Sequence, residues 1–450
     1  MKWFGPARMV RVLERPLIRH LLPHLWACLI LPSFLSTGVA ATVNIPDPGL
    51  RAAVRQALNL LTDEVPLEAL QGLTQLDASY RQIASLDGLA AARQLSILDL
   101  SYNALPGLLF PAGLTNLTTL NLSGNQLPWL ALPADVTALT RLELRENELI
   151  DFSFLAGLVN LIELDLQYNN LTSLSLPGPL SHLDLLDLGH NDLKDFAFMS
   201  ELPSLTGLYL DDNALTTLVF PASFTNLASL TLSINRLSDF GFLRQFPYLT
   251  ILDLSANRPL RLTLPDGMLY LSWLNLSENR LDELTLPTGL ENLGTLHLFD
   301  NALTNVSFLG SVTNLAWLDL AMNRLDEVTI PPELSNLVGV DLRWNPLHTL
   351  ILPENLAAGA LADLVEYAGN QNVAVHTYPL RARLSLAHRA GFGAFDFRLR
   401  GPPALYAVQG STNLESWTEL GPLTNRTGSV SFLDTSAAGF RQRFYQAVRP

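Results

Sequence analysis

The sequence predicts a solenoid in which coils of equal length stack, each contributing one short strand to a parallel β-sheet. Two observations lead to this fold class. A pattern of leucines closed by an asparagine recurs every 22 residues over most of the 450-residue chain, without an insertion. Within each repeat, leucines alternate with polar residues, as in Leu98-Asp99-Leu100, so one face of a strand is buried. Hydrophobic residues make up 48% of the chain and charged residues 16%, which is typical of a folded protein.

The repeating unit has the form Leu-x-x-Leu-x-Leu-x-x-Asn-x-Leu, and such fixed self-similarity is the signature of repeat architectures. One further unit precedes the regular ones and keeps Leu73, Leu76 and Ile83, but has Arg81 in place of the asparagine. The pattern therefore predicts about 13 coils over residues 73–357. The asparagines, one in each regular coil, are Asn103, Asn125, Asn147, Asn169, Asn191, Asn213, Asn235, Asn257, Asn279, Asn301, Asn323 and Asn345.

A structural role is expected for this asparagine. Its amide both donates and accepts hydrogen bonds, so it can satisfy backbone groups that the turn after each strand leaves unpaired in the interior. In a stack of coils, these side chains would form a continuous ladder.

The repeats resemble the leucine-rich-repeat family, and the short coil, without cysteine-rich caps, is similar to its bacterial, internalin-like subclass. The resemblance implies a leucine-rich-repeat solenoid with a parallel sheet on its concave face and extended or 3₁₀ turns on its convex face. It also implies a function in binding.

The segments that return from one strand to the next are of two kinds. One kind carries proline, as at Pro133 and Pro265, and the other reads Asp-Phe-x-Phe, beginning at Asp151, Asp195 and Asp239. Proline lacks a backbone donor and suits extended chain, and a 22-residue coil has room only for extended or 3₁₀ turns. Long convex helices are therefore not expected.

Pattern and composition divide the chain into five segments. We predict a signal peptide at 1–41, an N-terminal helical cap at 42–72, the repeats at 73–357, the end of the solenoid and a linker at 358–377, and a small antiparallel β domain at 378–450. A change in charge supports the last boundary, because residues 42–377 carry a net charge of −23 and residues 378–450 one of +5.

A helix is expected to cover the first coil, since the open end of a solenoid must be capped. Asp47 is a good N-cap, and Leu50, Val54, Leu58 and Leu61 recur at helical spacing. At the other end, alternating runs near Phe395 and Leu405 predict antiparallel strands. This last segment resembles a C-terminal β module of exported bacterial proteins, which implies an accessory role.

The first residues have the features of a secretory signal. Basic residues within 2–19 precede an apolar stretch at 21–35, and small residues at Val39 and Ala41 suit a cleavage site. The apolar stretch is shorter than the roughly 20 residues of a membrane span. We therefore expect a secreted or cell-envelope protein with no stable membrane span after cleavage; a retained anchor and a lipidated Cys28 are the weaker alternatives.

Several function classes are disfavoured. Cys28 is the one cysteine and lies in the leader, so the mature chain would have no disulfide, cysteine-bound metal or thiol nucleophile. We find no glycine-rich phosphate loop and no histidine pair with metal spacing. The net charge of −14 argues against a nucleic-acid partner. The sequence therefore predicts no enzyme, no catalytic residue, no cofactor and no metal site.

The concave face is expected to bind the ligand. Its column between the strand leucines, from Asp99 to Asp341, is mostly acidic and would attract a basic partner, although Leu-Asp-Leu is also a common family choice. Aromatic residues at outward strand positions are typical interface anchors. The predicted ligand-binding residues are Tyr209, Trp273, Phe299, Trp317, Trp344, Asp253, Asp319 and Asp341.

The sequence thus favours an exported binding protein that recognises a protein or peptide ligand, with a basic ligand preferred. A carbohydrate-binding surface protein is the first alternative, because tryptophans beside aspartates and asparagines also suit a glycan. A structural adhesion spacer is the second.

Overall fold

A parallel sheet of thirteen short strands runs through the computed structural model, which describes residues 41–194, 196–222, 224–389 and 394–449. The predicted leucine-rich-repeat solenoid is confirmed. Residues 1–40 of the predicted signal peptide, including Cys28, lie outside the described residues, as does Asp195.

Consecutive strands of this sheet pair with one constant offset, as where Leu98 lies opposite Leu120. A slip of one residue would turn every side chain to the other face of the sheet. The constant offset therefore keeps the central residue of every strand on the inner side. The strands are Gln75–Asp77, Ile97–Asp99, Thr119–Asn121, Arg141–Glu143, Glu163–Asp165, Leu185–Asp187, Gly207–Tyr209, Ser229–Thr231, Ile251–Asp253, Trp273–Asn275, Thr295–His297, Trp317–Asp319 and Gly339–Asp341.

The asparagines form the predicted kind of ladder, which links each coil to the one before it. In every one of the twelve, the Nδ2 group donates to a backbone carbonyl of its own coil and to one of the preceding coil. Asn213 donates to Leu210 O at 3.2 Å and Leu188 O at 3.0 Å, and its Oδ1 accepts from Leu193 N at 3.0 Å. Ten of the twelve are buried, and only the terminal Asn103 and Asn345 are partly exposed.

The two kinds of return segment adopt the two predicted conformations. Aspartate starts two of the 3₁₀ turns: Asp151 and Asp239 each accept a hydrogen bond of 2.9 Å from the amide two residues later, at Ser153 and Gly241, and Asn305 accepts one of 3.2 Å from Ser307 N in the same way. The phenylalanine that follows turns inward, as with the buried Phe154. The 3₁₀ turns are Leu89–Ala91, Ser153–Gly157, Ala197–Glu201, Gly241–Gln245 and Ser307–Ser311.

Proline-containing segments are extended, and they pair only where two such coils are neighbours. At Pro177 and Pro221, the coils on both sides have 3₁₀ turns, and the structure describes no convex strand there. Elsewhere the extended segments form short parallel sheets: Leu108–Leu109 with Leu130–Ala131, Arg261–Thr263 with Glu283–Thr285, and Glu327–Thr329 with Thr349–Pro353, which in turn pairs with Ala374–Tyr378.

The N-terminal cap is built from helix Pro48–Ala57, the short helix Leu67–Gln71 and an antiparallel pair of Thr42–Val43 with Val65–Pro66. Asp47 accepts hydrogen bonds from Leu50 N at 2.9 Å, inside the helix, and from Ala84 N at 2.8 Å, in the first coil. One carboxylate thus caps the helix and fixes it to the solenoid.

The apolar face of this helix is shorter than predicted. Leu50 and Val54 are buried and Leu58 is half-buried against the core. The prediction for Leu61 is wrong, because its side chain is 95% exposed. The helix ends at Ala57, and the left-handed Asn59 (φ 54°) turns the chain away before Leu61.

A second cap, which the sequence pattern did not reveal, closes the other end of the solenoid. It consists of helices Glu354–Ala357 and Ala362–Asn370, and Leu356, Leu364 and Ala368 are buried in the same core as the coils. The buried Tyr378 hydroxyl donates to Ile330 O at 2.6 Å, which holds the last convex strand in place.

The C-terminal segment contains two three-stranded antiparallel sheets, as predicted, around a small core that includes Leu399, Tyr406 and Val408. A 3₁₀ turn, Ala437–Gly439, precedes the last strand. One sheet has Arg383–Arg389, Phe395–Arg400 and Ser429–Asp434, and the other has Ala404–Ser411, Thr418–Asn425 and Phe444–Val448.

Replacing one ladder residue should be costly. Asn213→Ala removes the partners of three backbone groups in two adjacent coils, and each unsatisfied buried group costs about 1–3 kcal/mol. We expect a loss of about 3 kcal/mol in the free energy of unfolding, measured by urea denaturation. Asn226→Ala, which removes an exposed asparagine, is the matched control and should change stability little. Equal losses for the two variants would contradict the structural role of the ladder.

Candidate functional site

The concave face is formed by the outward side chains of the thirteen strands. Because neighbouring strands are in register, the last residue of each strand belongs to one column across the sheet, which we call the strand column. Its members are Asp77, Asp99, Asn121, Glu143, Asp165, Asp187, Tyr209, Thr231, Asp253, Asn275, His297, Asp319 and Asp341.

Most of this column also stabilises the turn that follows each strand. Aspartate or asparagine accepts a hydrogen bond from the backbone amide two residues later, so the side chain closes an Asx turn. This bond, of 2.8 to 3.1 Å, is made by Asp77, Asp99, Asn121, Asp165, Asp187, Asp253, Asn275, Asp319 and Asp341. The acidic column therefore has a structural role that is independent of any ligand.

Asparagine would serve this role as well as aspartate, yet carboxylates are crowded in the middle of the column. Burial raises the pKa of Asp187 to about 7, and the nearby charges of Asp165 and Asp211 add to the shift. Burial likewise raises the pKa of Asp253 to about 6, and it raises the pKa of Asp165. The crowding destabilises the charged forms that these groups would otherwise take at neutral pH.

At Thr231, where the strand column has no carboxylate, Asp211 accepts the hydrogen bond that closes the turn. Thr231 stands in the strand column but does not accept from Ser233 N; Asp211, from the preceding coil, accepts from this amide at 2.8 Å and also from the Thr231 hydroxyl. This brings a further carboxylate into the middle of the face.

Towards the ends of the sheet, arginines neutralise the carboxylates. Arg141 pairs with Glu143 at 2.7 Å and also with Glu163, while Arg343 Nε donates to both carboxylate oxygens of Asp341 at 2.9 Å. In the described part of the chain, no ion pair reaches Asp165, Asp187 or Asp253. The uncompensated negative charge is therefore concentrated on the central coils.

Trp273 and Trp317 lie in the neighbouring column, at the first position of their strands, with Thr295 between them. Trp317 is 45% exposed, and its ring lies over Gly339 in the next strand, where an added Cβ would come within 2.2 Å of the indole. Glycine therefore lets the ring lie against the backbone. The Trp273 ring is 5.6 Å from that of His297, centroid to centroid.

The other predicted aromatic residues do not join this pair in one column. Tyr209 is half-buried and lies on a strand separated from that of Trp273 by two others. Phe299 lies beyond the end of its strand and is half-buried. Trp344 is 65% exposed, in a left-handed turn (φ 59°), with the guanidinium of Arg343 5.1 Å from its ring centroid.

The predicted acidic site residues differ in their availability. Asp253 is only 6% exposed, and Ser255 and Asn275 donate to its oxygens, so it is not the free surface group that its strand position suggested. Asp341 is paired with Arg343. Asp319 is half-buried, and burial raises the pKa of its carboxyl.

One group of surface residues was missed by the sequence analysis. The residue before each ladder asparagine has a left-handed backbone, and in the first coils this column holds stacked rings. Tyr80 and Tyr102 stack at 4.6 Å between centroids, and Tyr168 and His190 at 3.9 Å. Their 22-residue spacing is the signal in the sequence, but these rings lie after the strand and not at its outward positions.

Within the described residues, no cluster of three or more histidine, cysteine, aspartate or glutamate side chains is placed to hold a metal ion. The same residues include no helix with the length and apolar character required to cross a membrane.

The sheet, the ladder and the turns define a leucine-rich-repeat solenoid, and comparisons with known proteins agree. The Leucine Rich Repeat family model matches residues 116–136 and 160–183. No curated protein sequence matches significantly. The fold of the chain is that of the leucine-rich-repeat proteins of the internalin-like type.

Solved structures of Listeria monocytogenes internalins show the likeness. The internalin inlF is 24% identical, with a TM-score of 0.54 over 66% of this chain and 95% of that one. The functional domain of InlJ, which includes a cysteine ladder, is 19% identical, with a TM-score of 0.54 over 79% of this chain and 94% of that one. Internalin C2 is 30% identical over 47% of this chain and 94% of that one, with a TM-score of 0.42. The first two likenesses show a shared fold.

The crowded carboxylates predict an unusual pH dependence. Because the folded-state pKa of Asp187 lies above its ordinary value, the folded chain retains a proton that the unfolded chain loses, so this group makes the fold less stable as pH rises from about 4 to about 7. Asp187→Asn keeps the turn acceptor and removes the charge. We expect this variant to gain at least about 1.4 kcal/mol of stability at pH 8 and little at pH 4.

Denaturation at a series of pH values measures this gain. Asp184→Asn, which alters an exposed carboxylate on the same coil, is the control and should show no such trend. A gain for Asp187→Asn that is the same at pH 4 and pH 8 would show that the carboxylate is not under electrostatic stress.

Proposed function

We propose that this chain is an exported, non-catalytic binding protein whose concave face recognises a protein or peptide ligand with basic side chains. One observation supports this most strongly: burial and the neighbouring Asp165 and Asp211 raise the pKa of Asp187 on the central coils, where no ion pair of the described residues reaches it, and the same face carries the exposed Trp317.

Charge provides the first argument for a basic ligand. Burial disfavours the charged form of Asp187, and the charges of Asp165 and Asp211 raise its energy further. A lysine or arginine brought by a partner would relieve that repulsion in a partly buried setting, where charge pairs are stronger than in open water. Relief of this repulsion would thus make the free energy of binding more favourable.

The tryptophans provide the second argument. The Trp317 ring packs against the backbone at Gly339, and such support would reduce the entropy lost on binding. Tryptophan is among the residues that most often dominate interface energies. Trp273, Trp317 and Asp319 form the part of the predicted site that we retain as its centre, with Phe299, Trp344 and Asp341 at its border.

Two alternatives remain as proposals. The exposed face of Trp317 is also suited to a sugar ring, which favours the carbohydrate-binding alternative. A structural spacer would use neither the charge nor the rings. Export is supported by the sequence of residues 1–41, and the C-terminal sheets would then serve display or attachment.

Selection from a library of random 12-residue peptides on the mature chain tests the proposal. At low salt, we expect selected peptides to be enriched in lysine and arginine, and their affinity to fall as salt screens the charges. Trp273→Ala with Trp317→Ala should weaken a selected peptide at least ten-fold, as measured by fluorescence anisotropy.

Trp129→Ala with Tyr248→Ala is the matched control, because these rings are also exposed but lie outside the strands of the concave sheet. Peptides without basic enrichment, or equal affinity for both double variants, would overturn the proposal. Salt-independent binding to a neutral sugar on a glycan array would favour the carbohydrate alternative instead.

A further inference from the structure

A groove that contains a row of three arginines lies beside the asparagine ladder, outside the strand column. It has a volume of about 480 Å³ and is lined by Arg236, Arg258 and Arg280, each of which directly follows a ladder asparagine. We call it the arginine groove. Three consecutive coils thus place a guanidinium at the same position, although residues 42–377 carry only 14 basic residues in all.

These arginines lack ionic partners. All three side chains are exposed, and among the described residues no carboxylate lies within ion-pair distance of any of them. Adjacent coils are spaced by about 4.8 Å at the sheet, so neighbouring guanidinium groups repel one another. Arg261 differs, because it lies near Asp282 at 3.6 Å and Glu283 at 3.3 Å.

In the middle of the groove, the residues that directly precede the ladder asparagines are apolar and carry no charge. This column has Ile234 and Ala256 beside Arg236 and Arg258, where most other coils carry an aromatic or charged side chain. At one end it carries Asp212, and at the other Glu278, and both line the groove. Along the stack, Asp192 and Asp212 therefore precede the three arginines, and Glu278 lies in the same coil as the last of them, Arg280.

We propose that the arginine groove binds a short acidic segment of a partner protein, in extended form, through two carboxylates at alternate positions. Side chains on one face of an extended peptide are about 6.6–6.8 Å apart, so two of them fit within the roughly 10 Å between Arg236 and Arg280. Guanidinium groups accept a carboxylate through two parallel hydrogen bonds, and their long stems adjust to the difference in spacing.

The acidic ends select a short segment over a long polyanion. A uniformly negative polymer, such as a nucleic acid or an acidic polysaccharide, would meet Glu278 beside Arg280, and Asp212 and Asp192 where it extended past Arg236. A segment with neutral residues on either side of its carboxylates avoids this repulsion. The groove uses other side chains than the concave face and attracts the opposite charge, so it can hold a different part of a partner or a second partner.

The test uses the mature chain and a fluorescein-labelled peptide, Ser-Gly-Glu-Gly-Glu-Gly-Ser, measured by anisotropy at 50 mM salt. We expect saturable binding that weakens at 300 mM salt and disappears when both glutamates are replaced by glutamine. The triple variant Arg236→Gln, Arg258→Gln and Arg280→Gln should weaken binding at least ten-fold. Trp273→Ala with Trp317→Ala should leave it unchanged, which separates this inference from the concave site.

Another triple variant controls for net charge: Arg93→Gln, Arg244→Gln and Arg426→Gln removes three exposed arginines elsewhere and should bind the peptide within two-fold of the unaltered chain. No binding by the unaltered chain, or equal loss in the two triple variants, would overturn the proposal. So would a 20-residue oligoglutamate that binds at least ten-fold more tightly than the short peptide, since the acidic ends would then exert no selection.

Discussion

The hydrogen bonds of the buried asparagine side chain join each coil to its predecessor, and the rest of the structure depends on their 22-residue spacing. Asn213 shows the arrangement: it bonds Leu210 in its own coil and Leu188 and Leu193 in the preceding one. Since these bonds require equal coil lengths, leucines stack on leucines and each outward position becomes a column. The interior that results is almost entirely leucine with some phenylalanine.

A residue type that recurs at one coil position forms a row of like neighbours, so its charge or ring interacts with those of the adjacent coils. One aspartate in a turn is an ordinary Asx cap, but repeated on adjacent strands it adds like-charge repulsion to the burial that raises the pKa of Asp187 to about 7. One exposed arginine is a solvated side chain, whereas Arg236, Arg258 and Arg280 form a row. The same repeated positions therefore affect both stability and the proposed binding. A row of like charges lowers the stability of the fold but would attract a ligand, as is common at functional sites. In the proposed function, a partner of the opposite charge would relieve this like-charge repulsion.

The fold was predictable because its signal is periodic: the leucines, the ladder asparagines and the two return types follow from spacing and from proline or aspartate at known places. Outside the periodic part of the sequence, the predictions of local structure were less accurate. Leu61 continued a helical pattern that the left-handed Asn59 interrupts, and the helix Ala362–Asn370 replaces a repeat whose landmarks had faded. Within the site, the residue spacing predicted which side chains share a column but not how deeply each one is buried. The pairing of Asp341 with Arg343 and the burial of Asp253 depend on neighbouring side chains, which a one-dimensional pattern does not specify.

Coil length itself gives the most direct test. Residues 273–294 form one whole coil with a proline-type return, and the coil before it has a return of the same kind. Removal of residues 273–294 therefore leaves the following coil packed against the same type of return segment as before. We predict that the chain without these 22 residues folds cooperatively, with a thermal transition by circular dichroism close to that of the full chain. Removing residues 273–293 instead, one fewer, should abolish the cooperative transition. Similar transitions for both deletions would contradict the account, because the stack would then tolerate a coil of another length.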